Sequence, residues 1–429
     1  MSLLSKLLRK AVRKGRLTVT FPDGTRETFG VEPGPEVAIR INDPGFARRI
    51  AANPELAAAE AFMDKALVVE NPKEGTGAWE LLELFFVNKR HFDLTPSQIF
   101  WRGVARGAKR FMQHNPVARA RRNAQSHYDL GNDLYRLILD RHMQYSCAYY
   151  PDGEETLEEA QTRKMRHLAA KLCLKPGQRV LDIGCGWGGL ALYLASVEEV
   201  EVLGVTLAEE QLKVAQARAE AMGLSHRVRF ELRDYREVTE TFDRVISVGM
   251  LEHVGITNLT NYHLSVRDRL APDGLALIHS ISTKAPPGVT GPFIRKYIFP
   301  GGYAPSVSEA VAAVEKSGLW ITDMEVWRVH YATTLREWRR RFEANRAQIE
   351  AMYDERFGRM WEFYLAACEG VFAHGASMVY QMQLSRERDI APLHRDYIGP
   401  EEARFAAKEP AFLEALMASA EAALGPKGS

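Results

Sequence analysis

The stretch VLDIGCGWGG, residues 180–189, decides the fold of this chain. It begins as a short apolar strand that ends near Asp182, and glycines follow at positions 184, 186, 188 and 189. Because glycine has no Cβ, such a loop can turn sharply and bring its backbone close to a ligand. The spacing also fits the G-x-G-x-x-G pattern of dinucleotide sites, which is a weak signal by itself. The stretch therefore predicts a strand-to-helix turn that binds a nucleotide-like ligand.

Alternating strands and helices surround this turn from about residue 165 onwards. The predicted strands are RVLDIG (179–184), EVLGVT (201–206), VRFELRDY (228–235), FDRVISVGML (242–251) and LAPDGLALIHSIS (270–282), the last with a turn at its start. Strands separated by helices predict an α/β fold with a doubly wound, mostly parallel sheet. Residues 319–327 and 376–386 are candidate final strands, and a helical insertion rich in aromatic residues, about 335–372, lies between them.

The N-terminal part has a different pattern. Residues 17–42 are predicted to form short strands, the first two joined by a PDG turn, and a helical segment follows. These features predict four regions. They are a small α+β domain over 1–95, a basic helical linker over 96–122, a catalytic α/β domain over 123–390 and a C-terminal helical tail over 391–429.

Composition is that of an ordinary globular protein. The 429 residues are 46% hydrophobic and 26% charged, and the formal net charge is +1. A net charge this small argues against a polyanion-binding protein, so no nucleic-acid partner is expected. The sequence has no run of 18 or more apolar residues, so no membrane span is expected. The four cysteines show no paired metal-ligand spacing, so we expect reduced thiols, a cytoplasmic location and no metal.

Two basic segments stand out against this balance. Residues 1–17 carry six Lys or Arg and no acid, with leucines at helical spacing, and residues 101–123 form a second basic run. The first segment is typical of a helix that lies on an anionic bilayer surface. A solvated, frayed N-terminus is the alternative interpretation. Charges interrupt the apolar residues and no small-residue cleavage site follows, which disfavours a signal peptide.

The residues after strands two and three distinguish between possible cofactors. A nicotinamide enzyme would place an acid at the end of strand two, where this chain has Gly204, Val205 and Thr206. Asp234 and Tyr235 follow strand three, where they could hold an adenine. Together with the LAPDG turn, this pattern favours S-adenosylmethionine (SAM) and a methyltransferase.

Seven motifs occur in order at compatible spacing. They are HYDLGNDLY (127–135), YSCAYY (145–150), LDIGCGWGG (181–189), GVTLAEEQ (204–211), SVGMLEHVG (247–255), KYIFPGG (296–302) and HYATTLREW (330–338). Over about residues 120–385 the chain resembles the cyclopropane-fatty-acyl-phospholipid synthase family, which includes mycolic acid cyclopropane synthase-like enzymes. The resemblance implies a class I SAM-dependent methyltransferase fold with a seven-stranded, Rossmann-like sheet. It implies methylene transfer from SAM to the cis double bond of an unsaturated phospholipid chain, through a carbocation that bound bicarbonate deprotonates.

The resemblance also implies roles for individual residues. It places a bicarbonate ion in contact with Cys147, Glu252, His279, the amide of Ile281 and Tyr331, and it places the Tyr128 ring near the cation. It places SAM against Tyr145, Ser146, Gly184, Gly186, Thr206 and Gln211, with Asp234 and Tyr235 near the adenosine. Taken singly, a buried cysteine or histidine is more often a core residue than a ligand. Tyr149 and Tyr150 have no implied role, and core packing is expected for both.

Some positions depart from the family pattern and keep other products open. Leu251 replaces a common Phe, Ser280 and Ser282 replace the usual Thr and Gly, and His330 stands where an acid is common. A C-methyltransferase that makes a methyl- or methylene-branched chain is the first alternative. A methyltransferase of small molecules is the second, although a soluble substrate would need neither the N-terminal domain nor its basic helix. A non-catalytic lipid-binding protein is disfavoured by the intact glycine loop and anion-contacting residues.

A phospholipid substrate has consequences for location. The enzyme would act as a peripheral protein at the inner membrane surface and bind anionic phospholipid. Residues 286–302, with Gly and Pro around aromatic and aliphatic side chains, are a candidate mobile rim. The resemblance also suggests a homodimer formed through the N-terminal domain.

Overall fold

The computed structural model describes residues 3–91, 103, 107 and 131–424. The chain divides into two compact units. The first unit comprises Met1–Lys109, Val289–Pro300 and Tyr331–Ser377, and the second comprises Arg110–Gly288, Gly301–His330 and Met378–Ser429. Two segments inside the predicted catalytic domain fall in the first unit, and the predicted domain boundaries stay a prediction. The linker predicted over 96–122 lies outside the described residues apart from Gly103 and Gly107.

The elements follow one another as helices and strands throughout the described residues. The strands are β1 Lys14–Thr20, β2 Arg26–Phe29, β3 Glu32–Ile41, β4 Leu67–Glu70, β5 Arg179–Ile183, β6 Glu201–Thr206, β7 Val228–Leu232, β8 Phe242–Val248, β9 Leu270–Thr283, β10 Trp320–Trp327 and β11 Ser377–Ser385. The helices are α1 Leu3–Ala11, α2 Phe46–Ala52, α3 Pro54–Met63, α4 Ala78–Asn88, α5 Asn132–Ile138, α6 Leu157–Lys171, α7 Gly189–Val197, α8 Glu209–Ala221, α9 Leu259–Arg269, α10 Val307–Ser317, α11 His330–Ala344, α12 Arg346–Met352, α13 Glu355–His374, α14 Ile398–Ala406 and α15 Glu409–Leu424. A single turn of 3₁₀-helix at Leu251–His253 contains the predicted site residue Glu252. A single turn of π-helix at Ile294–Ile298 lies in the predicted rim segment.

The first unit is built on a four-stranded sheet of order β2-β1-β3-β4. The predicted hairpin is confirmed, since β1 and β2 are antiparallel and the Phe21 amide donates to the Thr25 carbonyl at 2.8 Å across the turn. Asn88 at the end of α4 is fully buried, and its side chain accepts from the amides of Arg13 and Lys14 at 2.8 Å each. A buried amide that pairs with a strand in this way fixes the helix against the sheet.

A buried carboxylate joins the helical insertion to the start of α4 within this first unit. Glu362 of α13 is buried, and one of its carboxylate oxygens accepts from the amides of Thr76 at 2.9 Å and Ala78 at 3.2 Å. Because the first amides of a helix lack intrahelical partners, a carboxylate at the start of α4 is stabilising. The Arg346 guanidinium donates to the second oxygen at 2.5 Å and compensates the buried charge.

The predicted rim segment is anchored within the first unit. Phe293 is 1% exposed, and its ring lies 5.2 Å from that of Phe363 in an edge-to-face arrangement. The Tyr297 hydroxyl donates to Glu60 at 2.9 Å, and Lys296 donates to the same oxygen at 2.7 Å. Residues 289–300 are therefore held by both aromatic packing and an ion pair.

The basic N-terminal helix α1 buries part of its apolar stripe against the first unit. Leu4 and Ala11 are 7% and 5% exposed, whereas Leu7 remains 42% exposed. The Ser5 hydroxyl and the Arg9 guanidinium both donate to Glu27 on β2, at 2.7 and 3.1 Å. The helix is consequently docked onto the sheet, and Lys6 and Lys10 stay exposed on its outer side.

The second unit has the predicted α/β fold. Its sheet has seven strands in the order β10-β11-β9-β8-β5-β6-β7, in which β5 to β9 pair in parallel and β10 is antiparallel to β11. The chain runs outward from β5 to β7 and then returns to place β8 on the other side of β5. Ligands of doubly wound sheets bind at the carboxyl ends of the strands near such a reversal. The class I SAM-dependent methyltransferase fold is thereby confirmed.

Both sides of this sheet are covered. The side that carries α7 is closed by the C-terminal helices, whose Phe405, Phe412 and Leu416 are at most 2% exposed in the apolar core. The other side is packed by α9 and α10 through residues such as Tyr262 and Val314. Among the described residues no helix is long and apolar enough to cross a membrane.

Candidate active site

The glycine loop after β5 has the geometry of a ligand cradle. Gly184 and Gly186 have φ of +82° and +55°, in the left-handed region that favours glycine. A Cβ added at Gly186 would meet no protein atom within 4 Å, so the loop faces open space there. In strand β5 beneath it, Asp182 is buried, and its Oδ2 has no hydrogen-bond partner among the described residues. Burial raises the pKa of Asp182 to about 7. An open glycine loop above an unsatisfied carboxylate fits a polar, nucleoside-bearing ligand such as SAM.

A second loop, residues 140–147, lies directly against the start of α7. A Cβ at Gly189 would come within 2.3 Å of the His142 carbonyl oxygen, so only glycine permits this approach. The loop is held in shape by Asp140, whose carboxylate accepts from the amides of His142 at 2.7 Å and Gln144 at 2.9 Å. The close approach brings the predicted cofactor contacts Tyr145 and Ser146 to the side of the glycine loop.

Tyr145 and Ser146 are positioned by helices on either side of them. The Tyr145 ring packs edge-on against Tyr135 of α5 at 5.2 Å, and Tyr135 lies 5.0 Å from the Trp187 ring of the glycine loop. Ser146 is buried, and its carbonyl accepts from Gln161 of α6 at 3.0 Å. Contacts with the neighbouring helices thus hold both residues in place.

The other predicted cofactor residues follow β6 and β7. The Thr206 hydroxyl donates to the Gln211 side chain at 3.2 Å, and both residues are buried. Asp234, 1% exposed, accepts from Arg236 at 2.8 Å and 2.6 Å in a bidentate pair. Tyr235 packs edge-on against Tyr262 at 5.3 Å. All four lie at or just after the carboxyl ends of strands, where the sheet places its ligand crevice.

Glu252 and the Ile281 amide are brought together directly. Glu252 sits in the 3₁₀ turn after β8, and its Oε1 accepts from the amide of Ile281 in β9 at 2.5 Å. Its Oε2 is buried and has no partner of normal hydrogen-bond geometry among the described residues, since the neighbouring Ser280 hydroxyl donates to the Ile281 carbonyl instead. Burial raises the pKa of Glu252 to about 7, although the Ile281 amide opposes the shift. A second oxygen that is buried and unsatisfied is typical of a position that a ligand completes.

His279 lies two residues before Ile281 on the same strand and pairs with the last residue of β8. It is 3% exposed, and its Nδ1 lies 3.4 Å from the Gln381 side-chain nitrogen, while Trp327 packs edge-on at 5.4 Å. Burial, reinforced by the charges of Lys164 and Lys171, holds the pKa of His279 well below its usual value. The imidazole is therefore neutral at physiological pH and can donate one hydrogen bond and accept another.

Cys147 is 1% exposed, and its thiol donates to the Ala148 carbonyl at 3.3 Å. None of the four cysteines, all of which are described, forms a disulfide. The two tyrosines that follow are packing residues, as expected. Tyr149 stacks on Trp327 at 4.5 Å, and Tyr150 is 6% exposed.

The predictions for two further site residues, Tyr331 and Tyr128, stay untested. Tyr331 belongs to the first unit, where its ring packs against Phe372 at 4.6 Å and Trp338 at 5.9 Å. Its contact with an anion stays a prediction. Tyr128 lies outside the described residues, and so does the prediction made for it.

Sequence reasoning missed the polar face of α6. Gln161 and Lys164 are fully buried. Gln161 donates to the Ser146 carbonyl, and Lys164 donates to the Ser146 hydroxyl. A signal was available in the helical spacing. Both residues fall on the face that also carries Met165 and Leu168, where a lysine is out of place unless it has a partner.

Comparison with known proteins identifies the family. The sequence profile described as mycolic acid cyclopropane synthetase matches residues 116–382. The chain belongs to this family. A second profile, described as a domain of unknown function (DUF7884), matches residues 3–90.

Individual relatives agree with this assignment. The chain is 40% identical over 352 residues to a cyclopropane-fatty-acyl-phospholipid synthase of Escherichia coli, which covers 81% of this chain and 87% of the relative. It is 34% identical over 404 residues to the tuberculostearic acid methyltransferase UfaA1 of Mycobacterium tuberculosis, with 90% and 91% covered. A solved structure of the mycolic acid cyclopropane synthase CmaA1, complexed with SAH and CTAB, matches with a TM-score of 0.58 and 30% identity over 63% of this chain and 99% of that one. The enzyme is accordingly a SAM-dependent synthase of cyclopropane fatty acids.

The open space above Gly186 leads to a prediction about SAM. We expect Gly186→Ala to weaken SAM binding by about tenfold or more, since the methyl group would enter the cradle. Gly177→Ala is the matched control, because Gly177 also has a positive φ of +78° and open space around it, yet it lies in an exposed turn before β5. Both variants bear a backbone strain of about 1–2 kcal/mol. Isothermal titration with SAM should separate them, and equal affinities in the two variants would contradict the cradle.

Proposed function

We propose that this enzyme transfers a methylene group from SAM to the cis double bond of an unsaturated phospholipid acyl chain. A bicarbonate ion held by Glu252, which the Ile281 amide positions, serves as the base. The observation that carries the proposal is the buried Glu252 carboxylate, with one oxygen on a backbone amide and the other unsatisfied. The location supports it, since both residues lie at the carboxyl ends of neighbouring parallel strands β8 and β9.

The chemistry explains why a separate base is needed. An isolated alkene is a weak nucleophile, so the sulfonium methyl group must be held in line at near-attack distance. Carbon–carbon bond formation releases S-adenosylhomocysteine and leaves a carbocation on the chain. Loss of one proton from the new methyl group then lets its electron pair close the three-membered ring. Bicarbonate, when bound, would accept that proton.

The residues described here suit that anion in distinct ways. The Ile281 amide donates to Oε1 of Glu252, and Glu252, when ionised, can accept from a hydroxyl of the ion through Oε2. The neutral His279 ring can donate without adding a second acid. Cys147 would form a small, buried wall of the anion site. Its thiol donates to a backbone carbonyl, so we do not assign it the role of an attacking nucleophile.

Replacing Glu252 tests this arrangement. Glu252→Gln should lower kcat by about 10²- to 10⁴-fold, as for loss of a group that acts in proton transfer, while SAM affinity stays unchanged. Because the pKa of Glu252 is raised to about 7 and the ionised form is active, wild-type kcat/KM should rise with pH through about 7. The variant should lack this rise. Steady-state rates from pH 6 to 9 provide the measurement.

Glu198→Gln is the matched control for this variant. Glu198 is also a buried carboxylate of the second unit, but it is bound to Arg404 at the end of α7. Its replacement should reduce thermal stability and leave kcat and its pH profile in place. If Glu252→Gln retained normal turnover, the anion site would be assigned to the wrong residue.

The product itself decides between the ring and its alternatives. We expect cells with unsaturated phospholipids to accumulate fatty acids heavier by one CH₂ when they express the wild-type chain, and none when they express Glu252→Gln. Mass spectrometry detects the increment, and NMR of the isolated chains should show cyclopropane protons. An unchanged lipid profile with folded, SAM-binding protein would overturn the proposed activity.

A C-methyltransferase is the second candidate function. The match to the tuberculostearic acid methyltransferase extends over 90% of this chain, so a branched product is the natural rival. The same cation would then lose a different proton or be reduced. Vinylic or branch-methyl protons in the NMR spectrum, without cyclopropane protons, would establish this alternative.

Peripheral binding to anionic membranes from the cytoplasmic side belongs to the same proposal, as does the homodimer. Support comes from the exposed outer side of α1, where Lys6 and Lys10 flank the 42% exposed Leu7. Insertion of a full apolar stripe is disfavoured, because Leu4 and Ala11 are already buried. We therefore propose an electrostatic attachment with a single inserted leucine.

Vesicle binding checks this attachment. Lys6→Glu with Lys10→Glu should weaken binding to phosphatidylglycerol vesicles by about tenfold or more, at roughly 1 kcal/mol per basic residue removed. Lys175→Glu with Lys316→Glu changes the net charge equally at exposed positions of the second unit and should have little effect. Sedimentation at low and high salt is the assay. Binding that is indifferent to anionic lipid and to salt would reject the idea.

A further inference from the structure

Helix α6 carries two fully buried lysines with different surroundings. Lys171 forms ion pairs with Asp323 and Glu325 at 3.0 Å each, which compensates its burial. Lys164 is equally buried, but its Nζ donates to the neutral hydroxyl of Ser146 at 2.8 Å. An ammonium taken out of water at a cost of several kcal/mol is normally paired with an opposite charge. Among the described residues, Lys164 forms no ion pair within 4 Å.

The groups around Lys164 are those of the proposed site. Its charge interacts with Asp140 and with Cys147, both of which favour the ammonium form. Like Lys171, it also opposes the protonation of His279. The Asp140 carboxylate is already bound to two backbone amides, so its charge is shared. Burial lowers the pKa of Lys164 to about 8, and the side chain remains mostly protonated at neutral pH.

The geometry shows what this lysine holds in place. Gln161, one turn earlier on α6, donates to the Ser146 carbonyl at 3.0 Å, so the helix grips the backbone and the hydroxyl of the same residue. Ser146 is a predicted SAM contact, and Cys147 beside it is a predicted contact of the anion. A cation placed behind these two residues favours a negative ligand in front of them.

We propose that Lys164 is a positioning residue of the active site, which orients the Ser146 hydroxyl for SAM and supplies the positive charge that retains the anionic base beside Cys147. The anion in this inference rests on the proposed function. A purely structural role would call for a carboxylate partner of the kind that Lys171 has. Lys164 instead donates to the Ser146 hydroxyl and lies beside a predicted ligand site.

The test compares Lys164→Met with the matched control Lys171→Met, which removes an equally buried lysine from the same helix. Purified full-length variants would be assayed in buffer freed of carbon dioxide, with bicarbonate added back. We expect Lys164→Met to raise the half-saturating bicarbonate concentration by about tenfold or more, as for loss of a charge-assisted interaction. Lys171→Met should lower the melting temperature and leave that concentration unchanged.

Two binding measurements accompany the activity. Titration calorimetry should show SAM affinity about fivefold weaker in Lys164→Met, with a similar loss in Ser146→Ala, as for loss of one hydrogen bond of about 1 kcal/mol. The ¹³C NMR signal of labelled bicarbonate should broaden with the wild type and much less with the variant. Lys164→Arg keeps the charge and should restore bicarbonate binding in part. It also keeps the test informative if the methionine variant does not fold.

The outcomes separate this inference from the proposed function. A wild type that makes cyclopropane without any dependence on bicarbonate would refute the proposed base, and the SAM affinities would then decide the role of Lys164. If Lys164→Met and Lys171→Met matched in SAM affinity and in bicarbonate dependence, Lys164 would be structural and the inference would be overturned. A selective loss in Lys164→Met, recovered by arginine, supports it.

Discussion

The hydrogen bond between the Glu252 carboxylate and the Ile281 amide sets the character of the whole site. It joins the turn after β8 to strand β9, at the edge where the parallel strands end. A buried carboxylate is costly unless its oxygens are satisfied, and here only one of them is. The fold bears this cost because the sheet around it is extensively buried. The unsatisfied oxygen is therefore best understood as one half of an interaction that a ligand completes.

Several other buried polar groups near the site also lack a hydrogen-bond or ion-pair partner of the usual kind. Asp182 Oδ2 and Gln381 Oε1 have no hydrogen-bond partner among the described residues, and Lys164 has a hydroxyl where a buried ammonium would normally have a carboxylate. Other buried charges of the same unit are paired, as between Arg166 and Glu409 at 2.5 Å. Unsatisfied buried atoms also occur away from the site, for example Nε of Arg218 and of Arg227. A missing partner therefore supports a ligand site only where several site residues converge at the strand ends, as they do around Glu252.

The fold followed from the sequence because its signals are local. The glycine loop, the strand periodicity and the hairpin turn each depend on a few neighbouring residues, and each was confirmed. Glu252 and Ile281 were also predicted to share a ligand, and the structure joins them directly. Gly184, Thr206, Asp234 and His279 lie at or near strand ends. The roles of all the predicted site residues stay predictions.

Other features could not be predicted because they depend on distant partners. The leucine stripe of α1 reads equally well as a membrane-facing or a packed surface, and the structure buries Leu4 while leaving Leu7 exposed. The grouping of 331–377 with the first unit depends on Glu362 reaching the start of α4, a contact that spans 284 residues of chain. Lys164 was missed since a lysine in a charged helix is usually solvated, and only burial shows otherwise.

The electrostatics of the site favour the anionic base that we propose. A histidine or lysine that took the proton directly would be left as a buried cation once the ring had closed, which is costly unless an opposite charge compensates it. Burial keeps His279 neutral, and Lys164 stands behind Ser146 and Cys147 with its charge already fixed. A small oxyanion in front of them gains from that charge and becomes neutral when it accepts the proton. It can also leave as a neutral acid, so the enzyme returns to its starting state without moving a buried charge through the core.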